Sequence, residues 1–200
     1  MASMTASSGS NSRGRPGPGR SEGLSVQLSL NLSMETLRAP NFWREIGALV
    51  RDAGIAPKDL TLEITETRIS ASSGIPLENL IRLRLERFGL SIDDFGTGHS
   101  TLEQLRDVPF NELKVDCGFV SGARNNQIIR PMLEGSIGIA KRMGMTTVAE
   151  GVESEEDWKL LQELDCDLAQ GYFIGRPMSV ERVLEWQYEW QARVPFLLQS

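Results

Sequence analysis

Polar side chains follow a series of short apolar runs between residues 26 and 173. They are carboxylates, amides and one ammonium, the groups that can hold a divalent cation or transfer a proton. Because the carboxyl ends of parallel strands face the same rim of a β/α barrel, such a series predicts one shared site. In chain order the motifs are SLNLS with Asn31, LTLEITET with Glu63, LSIDDFGTG with Asp93 and Asp94, ELKVD with Lys114 and Asp116, TTVAEGVE with Glu150, and LAQGYF with Gln170.

Two of these motifs place two polar residues close together. Asp93 and Asp94 are adjacent, so within a regular strand they would point to opposite faces of the sheet. Both can reach one cation only at the twisted end of the strand, which Gly96 permits. Lys114 and Asp116 are two residues apart and therefore share one face. The spacing predicts an ammonium and several carboxylates in a single site.

Strands and helices alternate along the chain after residue 24. Apolar spacing predicts six strands separated by helices, with Asn41 as a helix cap, and a capping box formed by Ser154 and Asp157. Residues 123–143 are expected to form the longest helix, and Ser179 is expected to cap a terminal one. This alternation favours an α/β fold with a parallel sheet and right-handed crossovers. The predicted strands are VQLSLNLS, LTLEITET, LSIDDFG, ELKVD, TTVAEGV and LAQGYF.

The composition excludes several classes of protein. Two hundred residues with 40% hydrophobic content suffice for one domain, and the net charge of −6 argues against a DNA or RNA footprint. No apolar run is long enough to cross a membrane, and no secretory signal is recognised. Cys117 and Cys166 form no CxxC pair, so a reducing cytoplasmic location is expected.

Residues 1–23 differ in composition from the rest of the chain. They are rich in Ser, Gly, Pro and Arg, and this predicts a disordered leader or tag. An organelle transit peptide is the alternative, because such peptides are rich in Ser and Arg and poor in acids. Residues 24–192 are expected to form the folded domain, and residues 193–200 a C-terminal tail.

The motifs NLS, LEITET, DDFGTGHS, KVD, VAEGVE and QGYF, the last followed by GRPM, resemble in order and separation the EAL family of cyclic-di-GMP phosphodiesterases. The resemblance covers about residues 24–185. It implies a TIM-like (β/α) barrel and metal-dependent hydrolysis of cyclic-di-GMP to linear pGpG in bacterial second-messenger signal transduction. The implied partner is therefore cyclic-di-GMP.

The sequence departs from the family at its N-terminal side. No Glu-Ala-Leu tripeptide occurs, and only the low-complexity leader precedes SLNLS. We therefore expect an incomplete barrel of about six parallel strands that lacks the first two strands of the family's eight. Such a barrel would expose two sheet edges and an apolar interior. Because one metal-binding glutamate is absent, impaired activity is expected.

The resemblance also implies a role for each motif. Asn31, Glu63, Asp93 and Asp94 correspond to metal ligands, and their oxygen donors suit Mg²⁺ or Mn²⁺ in a two-metal site. Lys114 would position or polarise the nucleophilic water, Asp116 would bind the second metal or orient Lys114, and Glu150 would act as a general base or as a metal-linked carboxylate. Gln170 would form hydrogen bonds within the site.

A further set of residues would shape the loop after Asp94. Glu66 corresponds to the family's loop-anchoring glutamate, and Gly96, Thr97 and Gly98 keep the loop compliant. The resemblance links this DFGTG region to a homodimer. His99 stands where the family usually has tyrosine, so we interpret it as a substitution without an acid–base role.

Blander interpretations exist for each residue. Lys114 and Asp116 could form a surface pair, and Glu150 could cap a helix. Asn31 could satisfy backbone groups at a strand end. The four tryptophans, at positions 43, 158, 186 and 190, are better explained by core packing than by base stacking.

Three hypotheses follow for the chain. The first is a cyclic-di-GMP phosphodiesterase, whose retained motifs favour descent from an active enzyme. The second is a non-catalytic module that binds cyclic-di-GMP or a regulatory protein. The third is a truncated fragment without a function of its own.

Overall fold

In the computed structural model the chain forms one seven-stranded sheet in which each strand lies beside the next along the chain. The structure describes residues 2–5, 27–65, 74–97, 102–123 and 126–197. The strands are β1 (Ala2–Thr5), β2 (Gln27–Asn31), β3 (Leu60–Thr65), β4 (Gly89–Phe95), β5 (Glu112–Val115), β6 (Thr146–Ala149) and β7 (Leu168–Ala169).

Strands β2 to β7 are parallel, and each is hydrogen-bonded to the next. The prediction of about six parallel strands with helices between them is confirmed. Parallel pairing puts the carboxyl ends of all six strands at one rim of this half-barrel. This rim is where the polar motifs lie.

Strand β1 differs from the others because it runs antiparallel to β2, with Ala2 opposite Leu30 and Thr5 opposite Gln27. The sequence predicts no order in residues 1–23, so these four residues depart from that prediction. The physical reason is that the outer edge of β2 offers unpaired backbone groups that another extended segment can satisfy. The rest of the predicted leader, and with it the choice between a tag and a transit peptide, lies outside the described residues.

Helices connect the parallel strands and cover one face of the sheet. The capping box predicted for Ser154 and Asp157 is present, with both of its hydrogen bonds at 3.1 Å. The helices are Met34–Leu37, Phe42–Asp52, Ile75–Leu85, Leu102–Asp107, Cys117–Val120, Ile129–Arg142, Glu155–Glu163 and Val180–Leu197, with a 3-10 turn at Pro57–Asp59.

Two helix predictions need correction. Asn41 precedes its helix in the left-handed region (φ 63°), and its side chain makes no capping hydrogen bond there. In that conformation its amide does not face the free N–H groups of the first turn. Among the described helices the longest is Val180–Leu197, with 18 residues, whereas Ile129–Arg142 has 14.

The two faces of the sheet have opposite chemistry. The face that packs against the helices is apolar and fully buried; it includes Leu62, Ile64, Leu90, Ile92, Leu113 and Val115. The other face, at alternate positions, carries the buried polar residues Ser29, Thr61, Glu63, Ser91, Asp93 and Lys114. The expectation of an apolar interior was therefore wrong, because alternation along these strands gives the interior to small polar and charged side chains.

The C-terminal helix packs on the barrel through aromatic side chains. Trp190 meets Trp158 edge-on, with ring centroids 5.6 Å apart, and meets Phe173 at 6.3 Å. The helix continues to Leu197, which is buried, although the sequence assigns residues 193–197 to a tail. Burial of Leu197 explains why the helix continues past the predicted boundary.

All four tryptophans lie against the core, as predicted from their spacing. Trp158 and Trp190 are buried, and the Trp186 indole N–H donates to the carbonyl of Ile174 at 2.9 Å. Trp43, which is partly buried, lies beneath the guanidinium groups of Arg44 and Arg82. In the described part of the chain, no helix has the length and apolar character needed to cross a bilayer.

Candidate functional site

The sequence motifs converge at the carboxyl rim of the sheet. Asn31 is the last residue of β2 and pairs in register with Glu63 on β3. Glu150 directly follows β6, and Gln170 directly follows β7. Their backbones continue the sheet, since Glu150 N–H donates to Val115 at 3.1 Å and Gln170 N–H donates to Ala149 at 2.8 Å.

A β-bulge near the end of β4 brings Asp93 and Asp94 to the same side. Ile92 pairs with Leu113 and Phe95 pairs with Val115, so two aspartates on β4 oppose the single residue Lys114 on β5. Asp94 has a positive φ of 56°, the conformation that the extra residue of a bulge often adopts. The expectation that both carboxylates need an irregular strand end is therefore matched by the geometry.

Lys114 forms the centre of a buried ionic cluster. Its Nζ lies 2.5 Å from Glu150 Oε1, 3.1 Å from Glu63 Oε2 and 3.2 Å from Asp93 Oδ1. The side chains of Lys114 and Glu63 are only 4% and 2% exposed. We call Lys114, Glu63, Asp93 and Glu150 the lysine cluster. A surface pair, the blander interpretation of Lys114, does not fit this burial.

The charges of the cluster shift its proton affinities. Burial tends to lower the pKa of Lys114, but the carboxylates of Glu150, Glu63 and Asp93 outweigh it and raise that pKa well above its usual range. Burial raises the pKa of Glu150, and Lys114 partly opposes this effect. Lys114 is therefore a permanent cation, while Glu150 holds a proton more readily than an ordinary glutamate does.

The donor set fits a divalent cation. Oxygens of Asp93, Asp94 and Glu150 lie within 4.8 Å of one another, close enough to share an ion. Glu63 Oε1 is buried and accepts no hydrogen bond from the described part of the chain, an arrangement that is costly unless another positive group is nearby. Four carboxylates against one ammonium leave an excess of negative charge, and oxygen donors of this kind suit Mg²⁺ or Mn²⁺.

Three predicted residues lie at the rim without joining the lysine cluster. Asp116 caps the helix Cys117–Val120, and its Oδ1 accepts from Gly118 N–H at 2.8 Å. Within the described residues, Asp116 is not among the ion-pair partners of Lys114. Asn31 is exposed beside Glu63, and Gln170 is half-buried. All three lie at the border of the cluster, at the carboxyl ends of β2, β5 and β7.

The predicted loop residues are described only in part. Gly96 has a positive φ of 99°, and Thr97 donates through both its N–H and its hydroxyl to the carbonyl of Asp94. These contacts close a turn directly after the bulge. The predictions for Glu66, Gly98 and His99 lie outside the described residues.

Sequence reasoning missed one polar group beneath the lysine cluster. Glu112 lies on the same face as Lys114, two residues earlier on β5, and its pKa is raised by burial. The sequence signal for it was present, because side chains two residues apart on a strand share a face and Glu112 lies two residues before Lys114.

A contact between Gly151 and Cys117 was also not predicted. A β carbon at Gly151 would come within 2.3 Å of the Cys117 β carbon. Gly151 therefore allows the backbone directly after Glu150 to pass close to Cys117.

Curated relatives are similar in sequence over most of this chain. This chain is 35% identical to RocR, a cyclic di-GMP phosphodiesterase of Pseudomonas aeruginosa, over 82% of this chain and 42% of RocR. It is also 35% identical to the oxygen sensor protein DosP of Escherichia coli, over 80% of this chain and 20% of DosP. The chain thus spans less than half the length of either relative.

Solved structures share the fold. A complex of the phosphodiesterase PaMucR with c-di-GMP has a TM-score of 0.72 and 31% identity, covering 78% of this chain and 63% of that chain. A manganese/cy-diGMP complex of BlrP1 from Klebsiella pneumoniae has a TM-score of 0.71 and 31% identity, covering 76% and 39%. The EAL domain family matches residues 18–177. With its rim motifs, its half-barrel and these relatives in agreement, the chain belongs to the EAL domain family.

Proposed function

We propose that this chain hydrolyses one phosphodiester bond of cyclic-di-GMP and releases the linear dinucleotide pGpG. The observation that carries the proposal is the lysine cluster, in which three carboxylates surround a buried ammonium at the rim of an EAL domain. The similarity to RocR and to the c-di-GMP complex of PaMucR supports the choice of substrate.

Each residue of the cluster has a chemical task in this proposal. Glu150, whose pKa is raised by burial, accepts the proton of the attacking water. Lys114 remains protonated and orients that water or the phosphate by donating hydrogen bonds, which stabilises the developing negative charge. The bond between phosphorus and the 3′ oxygen breaks, the phosphate stays on the 5′ oxygen, and the leaving 3′ oxygen takes up a proton from solvent to become a hydroxyl.

We propose that Asp93, Asp94 and Glu63 hold Mg²⁺ or Mn²⁺, with Asn31 as a further oxygen donor at the edge. The chemistry that such cations supply is neutralisation of the phosphate oxygens and a water of lowered pKa. Asp116 and Gln170 are assigned to the border of the site, where Asp116 orients the connection after β5 and Gln170 donates hydrogen bonds to the ligand.

A homodimer through the DFGTG region and a cytoplasmic location complete the proposal. The dimer follows from the resemblance, in which Glu66 anchors the loop formed by Gly96, Thr97 and Gly98. The location agrees with the two cysteines, which are both free thiols.

The proposal is tested by turnover of cyclic-di-GMP with Mn²⁺, followed by chromatography of the product. We expect pGpG from the unmodified chain and a loss of at least 100-fold in kcat for Asp93→Asn, because one cation ligand and one partner of Lys114 are weakened. Asp107→Asn is the matched control, since Asp107 is an exposed aspartate that pairs only with Arg106 among described residues.

Other outcomes would decide between the hypotheses. Saturable binding of cyclic-di-GMP without turnover would favour the non-catalytic module. The proposal would be contradicted if a chain that unfolds cooperatively, and is therefore folded, showed no turnover of cyclic-di-GMP and no binding of it.

A further inference from the structure

The bulge that presents Asp93 and Asp94 lies against a side chain from the next connection along the chain. We propose that Phe119, in the short helix after β5, is a positioning residue that holds the two aspartates in their site geometry. The inference rests on the proposed function, because it concerns the same cation site.

The backbone around the bulge is unusual and needs support. Asp94 and Gly96 both have positive φ values, of 56° and 99°. L residues seldom adopt this region, and such conformations persist where the surrounding structure determines them. The local turn alone gives limited support, because the two hydrogen bonds from Thr97 to the Asp94 carbonyl, 3.2 and 2.9 Å long, lie at an exposed position where water competes.

The ring of Phe119 lies directly against Gly96. A β carbon at Gly96 would come 2.5 Å from Phe119 Cε2 and 2.9 Å from Cζ, so the ring and the glycine backbone are already in van der Waals contact. Phe119 is half-buried and packs against the hydrophobic core. It therefore limits how far the turn after Asp94 can move.

Phe119 is in turn fixed by another site motif. Its N–H donates to the carbonyl of Asp116 at 3.0 Å, and the Asp116 carboxylate accepts from Gly118 N–H at 2.8 Å. The neighbouring Val120 is fully buried. The short helix thus begins directly after the KVD motif, and its Phe119 ring contacts Gly96 at the end of the DDFG motif. This single aromatic contact connects the two motifs.

The experiment measures cation affinity and local backbone order in the whole chain. For Phe119→Ala we expect Mn²⁺ to bind at least tenfold more weakly by calorimetric titration, and the Thr97 amide to exchange with solvent at least threefold faster by NMR. Phe119→Leu retains an apolar side chain under Gly96, so both values should stay within threefold of the unmodified chain.

Two further variants separate positioning from general stability. Phe110→Ala removes a buried ring that the structure does not place against Gly96; it should lower the melting temperature yet leave both readouts within twofold. Gly96→Ala would put a β carbon against the Phe119 ring and an L residue at a φ of 99°, so it disturbs the same turn from its other side; it should weaken Mn²⁺ binding at least tenfold even if Phe119→Ala fails to fold.

The inference is overturned if Phe119→Ala leaves Thr97 exchange unchanged, or if Phe110→Ala accelerates it equally. If Phe119→Ala does not fold, unchanged Mn²⁺ binding in Gly96→Ala overturns it. A failure of the unmodified chain to bind Mn²⁺ would instead count against the proposed function, and Thr97 exchange would still decide the role of Phe119.

Discussion

The lysine cluster and the aromatic cluster of Trp158, Phe173 and Trp190 are both anchored in the same half-barrel, but different forces hold them. In the aromatic cluster the rings meet at centroid distances of 5.6 to 6.4 Å, and Trp158 and Trp190 are buried among apolar neighbours. In the lysine cluster, equally deep burial is compensated by charge. The aromatic cluster is stabilised by packing, whereas the lysine cluster retains a surplus of negative charge.

Each region contains a buried polar atom without a hydrogen-bond partner among described residues, and the energetic cost of the missing partner differs between the two atoms. Trp158 Nε1 is a neutral donor, whose cost the surrounding packing outweighs. Glu63 Oε1 belongs to a charged group in a cluster of carboxylates. The packing of the aromatic cluster is complete, while the lysine cluster retains a buried carboxylate oxygen that the proposed cation would satisfy.

The largest loss of stability is expected in the aromatic cluster. Trp158→Ala should lower the free energy of unfolding by about 3–5 kcal/mol, because it leaves a large cavity and removes two ring contacts. Urea unfolding measures this loss, and Mn²⁺ should not change it. Trp158→Phe keeps a ring without the unpaired N–H and should cost far less; a loss as large as that of alanine would show that packing does not dominate here.

Removal of the ammonium tests the lysine cluster. Lys114→Met should cost about 3 kcal/mol without metal, because carboxylates remain buried without their counter-charge. Mn²⁺ should restore part of that loss, since binding to the folded state raises its stability.

The control for this variant is Lys141→Met. Lys141 forms an exposed pair with Asp165, so its removal should change stability by less than about 1 kcal/mol. If Mn²⁺ raises the stability of neither the Lys114 variant nor the Lys141 variant, the surplus charge does not attract a cation.

Much of the lysine cluster could be predicted from the sequence, and the reason is topological. Parallel strands deliver their carboxyl ends to one rim, so residues at strand ends such as Glu63, Lys114 and Glu150 are brought together by the fold itself. The spacing of two predicted only that Lys114 and Asp116 share a face, and the structure places Lys114 on the inner face. Roles of individual residues remain proposals, because proximity alone does not distinguish a ligand from a base.

Other features could not be predicted, since they depend on contacts between distant segments. The capping role of Asp116 and the position of Phe119 under Gly96 depend on how the chain turns after β5. The polar interior was misjudged because the expectation considered only the loss of two strands and not the alternation of side chains along the strands that remain. The helix boundary at Leu197 depends on burial against the barrel, which local sequence does not reveal.

A smaller effect is expected at the helix that carries Trp158. Ser154→Ala removes the acceptor of the capping box, in which Ser154 Oγ accepts from Asp157 N–H at 3.1 Å. The expected loss is about 1 kcal/mol in thermal or urea unfolding. Ser154→Asp retains an acceptor and should recover most of it, whereas equal losses in both variants would contradict a capping contribution.

The smallest effect concerns Glu112 beneath the lysine cluster. Burial raises the pKa of Glu112 above its ordinary value of 4.5, and the charge of Glu63 raises it further. A carboxyl that binds its proton more tightly when folded contributes its full stability below the unfolded pKa, and loses it as the pH rises through the folded pKa. Glu112→Gln, which stays neutral, should therefore be more stable than the unmodified chain at pH 7, by on the order of 0.5–1 kcal/mol.

The sign of this effect is best checked against a glutamate whose pKa moves the other way. A hydrogen bond from Ser179 lowers the pKa of Glu181, which is exposed, so its contribution is present at neutral pH and is lost in acid. Glu181→Gln should thus be no more stable than the unmodified chain at pH 7, while the gain from Glu112→Gln should vanish below about pH 4.5, near the unfolded pKa of glutamate. Urea unfolding of both variants between pH 4 and pH 8 measures the difference. If Glu112→Gln were destabilising at pH 7, the ionised form of Glu112 would be stabilised by Lys114. The surplus of negative charge would then be confined to the carboxylates at the rim and would not extend down β5 to Glu112.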